Sequence, residues 1–135
     1  IRIAGNILNA DILGSMEFSC KLAGSKLIVV LGHTKCGAIT GACNNVKLGH
    51  VTGLLQKVAP AIEAETDTSD DRTGANLNFV RNVTKINVDL TVEQVRKQSP
   101  ILAEMERAGE IKIVGGLYDV ESGHVSFTLD DTKEA

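Results

Sequence analysis

Hydrophobic and polar residues alternate over Ile1-Arg2-Ile3-Ala4, which predicts the end of a strand, and Gly5-Asn6 breaks the pattern. Ile12, Met16, Cys20 and Ala23 then recur at helical spacing on one face between Asp11 and Ala23. Asn9 or Asp11 suits the N-cap of that helix, and Gly24 its C-terminal stop. The continuous run Leu27-Ile28-Val29-Val30-Leu31 predicts a strand buried on both faces of a parallel sheet. Helix, short turn, buried strand, turn and helix in that order mark a βαβ unit.

Downstream, a mostly helical stretch runs from Ala38 to about Glu65, divided near Gly49 and Gly53, with Pro60 at a boundary or kink. The polar, acidic segment Thr66 to Asp71 is expected to be a mobile surface loop. A helix is predicted over Ala75 to Ile86, with Leu77, Val80, Val83 and Thr84 facing inward. Thr91 with Gln94 has the form of a capping box and predicts the start of another helix. Ser99 and Pro100 supply the N-cap and first position of the next helix, which Gly109 ends. Ile111 to Val114 reads as a second sheet strand. Leu117 to Val120 and His124 to Thr128 read as a strand pair turned at Glu121-Ser122-Gly123.

Composition narrows the class. A chain of 135 residues, 43% hydrophobic and 23% charged, suits a single α/β domain over residues 1–135, built on a short, mainly parallel sheet flanked by helices. No apolar run approaches the ~20 residues of a membrane-spanning helix. No basic and apolar leader opens the sequence, although a start at Ile1 is compatible with one already removed. The net charge of −3, with Lys and Arg dispersed, argues against nucleic acid as a partner. So does an aromatic set of one Tyr, three Phe and no Trp. Three Cys, an odd number, favour a reducing, cytoplasmic setting and metal or redox chemistry over a disulfide framework.

The sharpest chemical feature is His33-x-x-Cys36, placed where the predicted buried strand gives way to a helix. Ligand crevices in open α/β sheets form at this carboxyl edge. One turn carries an imidazole nitrogen and a sulfur to a shared point, and zinc accepts both. Gly32 and Gly37 flank the pair and permit tight backbone turns. Spacing alone leaves a bland alternative standing, a buried His and a buried Cys that meet by chance.

The surroundings carry a family resemblance. Val29 to Ala38, containing Gly32-His33-Thr34-Lys35-Cys36-Gly37, closely resembles the second zinc-ligand motif of the β-class carbonic anhydrases. Arg2-Ile3-Ala4-Gly5-Asn6 is similar to their arginine-x-alanine-glycine-asparagine stretch, and Gly14 to Phe18 to the helix that follows. Gly109 to Asp119, then Ser122 to Val125, resemble their last strands.

The resemblance implies a zinc lyase that interconverts carbon dioxide and bicarbonate by attack of zinc-bound hydroxide, working as a homodimer or higher homo-oligomer. It implies His33 and Cys36 as zinc ligands, Gly37 beside the substrate pocket, and Phe18 lining the neighbouring subunit's pocket in place of a frequent Tyr. Arg2 and Tyr118 resemble residues that help bind an inhibitory bicarbonate in some bacterial relatives; a plain ion pair for Arg2 is the simpler expectation.

The family's first motif, cysteine-x-aspartate-x-arginine, should precede Arg2, and neither Cys20 nor Cys43 has that context. Without it, the Asp–Arg pair and one zinc ligand are missing, so no catalytic residue beyond the metal donors is assigned. The expectation is a retained part of a longer enzyme, with weak or absent zinc binding and little hydration by this chain itself. The alternative is a non-catalytic paralogue or fragment acting as a metal-free binding or dimerisation module.

Other candidates have plainer readings. Cys20 lies on an apolar helical face, and Cys43 two turns beyond Cys36, so core packing is expected of both. His50 and His124 neighbour Gly and are expected to face solvent. Asp70-Asp71 lacks the spacing of a calcium loop. No G-x-G-x-x-G supports a nucleotide-binding domain, and no C-x-x-C supports a thiol redox module.

Overall fold

Three strands and six α-helices are arranged around two apolar clusters in the computed structural model, which describes residues 1–128. A short 3-10 turn at Ala4–Asn6 leads to α1 (Ala10–Glu17), which passes into a π-helical turn at Phe18–Leu22. Strand β1 (Leu27–His33) is followed by α2 (Gly37–Cys43), α3 (Gly49–Gln56) and α4 (Ala59–Ala64). Helix α5 (Leu77–Gln98) and α6 (Pro100–Arg107) then lead to β2 (Lys112–Tyr118) and β3 (Val125–Thr128).

The sheet has the order β1-β2-β3. β1 and β2 are parallel, running from Leu27 opposite Lys112 to His33 opposite Tyr118, and β3 returns antiparallel to β2. The α/β class expected from the sequence is therefore observed, with a mixed sheet among the described residues. Asn9 caps α1 by accepting from the Ile12 amide at 2.9 Å, and Ser99 caps α6 by accepting from the Leu102 amide at 3.2 Å.

Helix α5 is the organising element. Val88, Val92 and Val95 recur along it and pack on Ile28 and Val30 of β1 and Ile113 of β2. One turn earlier, Phe79, Val80 and Val83 join Ile39, Val58 and Cys36 in the second cluster. One continuous face thus holds the sheet and the helices that follow β1, and α5 runs unbroken for 22 residues.

Several local expectations need correcting. Thr91 does not begin a helix; it lies inside α5, and its hydroxyl donates to the Asn6 carbonyl at 3.2 Å. Leu77 does not face inward: it occupies the first turn of α5 and is 64% exposed. Residues 1–3 form no strand, and the two strands read around Val114 and Leu117 are one, β2, running through Gly115-Gly116. β1 is buried on one face only. Ile28 and Val30 face α5, whereas Leu27, Val29 and Leu31 are 54%, 38% and 44% exposed. The apolar run determines a strand, but the cover on its second face depends on what packs there.

The segment expected to be a mobile loop is anchored by Glu65, whose side chain is 1% exposed. Its carboxylate accepts from Thr68 Oγ1 at 2.9 Å, Asn82 Nδ2 at 3.0 Å and Arg72 Nη1 at 2.8 Å. Arg72 also donates to the Ile62 and Thr68 carbonyls and stacks 4.7 Å from the Phe79 ring centre. Burial pushes the Glu65 pKa up, but the hydrogen bonds from Asn82 and Thr68, with the Arg72 charge, leave it below the ordinary value of 4.5. A depressed carboxyl pKa stabilises the fold above the unfolded value and loses that contribution as pH falls through the folded one. Amide exchange over residues 66–76 should therefore accelerate as pH is lowered below about 4.5, after correction for intrinsic rates. Glu65→Gln should remove most of that pH dependence, and an unchanged profile would show that the anchor does not depend on charge.

Candidate metal centre

The carboxyl end of β1 and the start of α2 bring the chemical groups together. The Thr34 amide donates to the Tyr118 carbonyl at 2.9 Å, which extends the β1–β2 ladder one residue past His33. Lys35, at φ +56°, then reverses the chain. Cys36 is extended at φ −67°, ψ 118° and occupies the N-cap of α2, without a side-chain hydrogen bond to the helix. Its carbonyl accepts from both the amide and the hydroxyl of Thr40, at 3.0 and 2.9 Å, which fixes the first turn.

Cys36 is 9% exposed and packs in the second apolar cluster, while the His33 ring is exposed. His33 Nδ1 lies 2.8 Å from the Thr34 carbonyl oxygen. A carbonyl oxygen can only accept, so Nδ1 carries the ring hydrogen and the Nε2 lone pair is left for a ligand. This is the arrangement expected of a metal-binding imidazole whose second nitrogen is held by a backbone acceptor.

His33, Cys36 and Gly37 line one cleft of about 790 Å³, together with Arg2, Asn6 and Tyr118. The Ala4–Asn6 turn forms one side of it. Asn87 Nδ2 of α5 donates to the Gly5 carbonyl at 2.8 Å, and Asn6 Nδ2 donates to the Leu31 carbonyl at 3.0 Å. These bonds fix a turn in which Gly5 and Asn6 both have positive φ.

The donor set suits zinc in kind and falls short in number. Imidazole nitrogen and thiolate sulfur are both ordinary zinc ligands, but zinc sites use three or four protein donors. Among the described residues no group of three or more His, Cys, Asp or Glu is placed to hold a metal. Cys20 is buried in the sheet cluster, and burial pushes its thiol pKa up. Cys43 is half-buried, and its pKa is raised in the same way. His50 and His124 are exposed, and neither lines the cleft. Phe18 is 62% exposed in the π-helical turn and is also absent from the cleft wall.

Three site features were not read from the sequence: Asn6 against β1, Asn87 against Gly5, and the hairpin 119–124 against Thr34. Only the last left a trace, a polar Asp119-x-x-Ser122-Gly123 run typical of a side-chain-bonded turn.

Comparison with known proteins fixes the lineage. The family model described as carbonic anhydrase matches residues 1–125. The chain belongs to the β-carbonic anhydrase family. It is 31% identical over 130 residues to a carbonic anhydrase of Mycolicibacterium smegmatis, covering 93% of this chain and 60% of that protein. It is also 31% identical over 128 residues to carbonic anhydrase 2 of Mycobacterium tuberculosis, covering 91% and 58%. The β-carbonic anhydrase CcaA superposes with a TM-score of 0.78 at 20% identity, covering 94% of this chain and 65% of that one. CafA of Aspergillus fumigatus superposes with a TM-score of 0.76 at 24% identity, covering 99% and 64%. The chain spans about 60% of the length of these two curated carbonic anhydrases. Among the described residues of this family member, no helix is long and apolar enough to cross a membrane.

Proposed function

We propose that this chain carries one side of a zinc site that hydrates carbon dioxide to bicarbonate, with His33 Nε2 and Cys36 Sγ as two of the metal's donors. The observation that carries the reading is that His33, its Nδ1 bonded to a backbone carbonyl, and Cys36 line the same cleft. Zinc held there supplies the Lewis acidity that lowers the pKa of water toward ~7.

The chain's own residues do the rest by position. The Thr34 carbonyl holds the His33 ring hydrogen on Nδ1 and keeps Nε2 a donor. Gly37 lines the same cleft beside Cys36, and a Cβ built there would meet nothing within 4 Å. Leu31, Ile39 and Val88 give the cleft an apolar wall suited to a small linear molecule without charge. Arg2, Asn6 and Tyr118 supply its polar side.

A homo-oligomer and a cytoplasmic location are part of the same reading. A structural neighbour from Sordaria macrospora, 19% identical with a TM-score of 0.75, is described as tetrameric. The exposed Phe18 ring is the side chain expected to meet a partner's pocket.

The shortage of donors favours a second reading, a metal-free binding or dimerisation module, and the test separates the two. Zinc content and carbon dioxide hydration are measured on the 135-residue chain and on the product of its complete reading frame. The chain alone should bind zinc weakly or not at all and hydrate little. The complete product should hydrate carbon dioxide and lose that activity to a chelator. A zinc-loaded complete product without hydration would overturn the enzymatic reading.

A further inference from the structure

We propose that Asp119 is a positioning residue for the two metal donors, acting through the Thr34 hydroxyl on the turn that carries His33 and Cys36. Every polar group of Thr34 is committed. Its amide donates to the Tyr118 carbonyl at 2.9 Å, and its hydroxyl donates to Asp119 Oδ1 at 3.2 Å. The same hydroxyl accepts from the Val120 amide at 3.1 Å. Its carbonyl takes the His33 Nδ1 hydrogen at 2.8 Å. The residue whose carbonyl sets the imidazole is therefore bonded through its side chain, across 85 residues of chain, to the turn after β2.

Asp119 can serve as a fixed point because its own surroundings hold it. Oδ1 also accepts from the Glu121 amide at 3.0 Å, and Oδ2 from the Ser122 hydroxyl at 2.9 Å. Its backbone closes the turn as well, with its amide donating to His124 and its carbonyl accepting from Gly123, each at 2.8 Å. The Glu121 amide, followed by the Ser122 and Thr34 hydroxyls, holds the carboxyl pKa below its ordinary value, so the acceptor is ionised at neutral pH.

The neighbouring ion pair of Lys35 with Glu121 is a poor rival for this role. Its side chains are 52% and 69% exposed, and pairs this open contribute little. Thr34 and Asp119 are both partly buried, and the Thr34 hydroxyl is held between the Asp119 carboxylate and the Val120 amide.

The test reads the His33 ring directly, by long-range proton–nitrogen NMR on the metal-free chain, and then cobalt(II) binding by absorption on the product of the complete reading frame. The metal measurement rests on the reading of His33 and Cys36 as donors; the ring measurement does not. In the wild type, Thr34→Ser and Asp119→Asn, the hydrogen should stay on Nδ1, because each keeps the Thr34-to-119 hydrogen bond. Asp119→Ala and Thr34→Val should shift the ring toward the Nε2–H form and weaken cobalt(II) binding by about 10- to 100-fold, as loss of an outer partner of a metal ligand does. The double variant Thr34→Val/Asp119→Ala should be no worse than the poorer single one.

A folded Asp119→Ala that keeps the wild-type tautomer overturns the proposal. So does an Asp119→Asn that falls as far as Asp119→Ala. If Asp119→Ala fails to fold, Thr34→Val decides, since it leaves Asp119 bonded to Glu121 and Ser122. A product of the complete reading frame that shows the ring behaviour but binds no cobalt(II) overturns the metal reading and leaves the positioning role supported.

Discussion

Cys36→Ser should lower zinc affinity by more than the ~100-fold that loss of an outer-shell partner costs, while leaving the fold nearly untouched. The two halves of that expectation have different physical origins. Serine replaces a soft sulfur with a neutral hydroxyl oxygen, which is a poor zinc ligand, so one of the two donors on this side of the cleft is lost. Position 36, however, is the N-cap of α2, and the sulfur there makes no hydrogen bond to the helix. A serine hydroxyl is a strong N-cap group, which offsets the cost of a hydroxyl at a site only 9% exposed. Stability should stay within about 1 kcal/mol of the parent. Chelator competition on the zinc-loaded complete product, beside thermal unfolding, measures both halves. Equal zinc affinity in the variant would remove Cys36 from the donor set. A large fall in stability would recast it as a packing residue.

The contrast between legible and illegible features follows from the range of the forces involved. β1 and the helix after it were legible because a β-branched apolar run and a flanking glycine act within a few residues. His33-x-x-Cys36 was legible for the same reason, since a single turn brings both groups to one cleft. The Thr91-Gln94 pattern misled because a capping box is a local preference, whereas Val88, Val92 and Val95 continue one apolar face through it. Burial on both faces of β1 does not follow from its apolar run. Period-2 geometry sends Leu27, Val29 and Leu31 away from α5, and nothing in their identity states what lies there. The Thr34–Asp119 bond lay furthest from view, because its partners are 85 positions apart and meet only once β1 and β2 pair in register.

Pairing in register also depends on two bare positions. Gly32→Ala should destabilise the chain by about 1–3 kcal/mol, although alanine is the better strand residue by backbone entropy alone. A Cβ at Gly32 would meet Val88 Cγ2 at 2.6 Å and Thr84 Cγ2 at 3.2 Å. A Cβ at Gly115, on the neighbouring strand, would meet Val88 Cγ1 at 2.8 Å. Both methyls of one helical valine are thus seated over two glycines, and that contact sets how closely α5 approaches the sheet. Valine in a helix has one strongly preferred rotamer, so the methyls cannot swing aside. The helix has to lift instead, carrying Asn87 and its bond to Gly5 away from the cleft edge beside His33. If this is the cause, Val88→Ala should rescue Gly32→Ala, because the new methyl enters the volume the valine vacates. The double variant should then be more stable than the sum of the singles by about 0.5–3 kcal/mol, measured by urea unfolding of all four proteins. Additive losses would show that Val88 and Gly32 are not in contact in solution, and would leave the close approach of α5 to β1 without support.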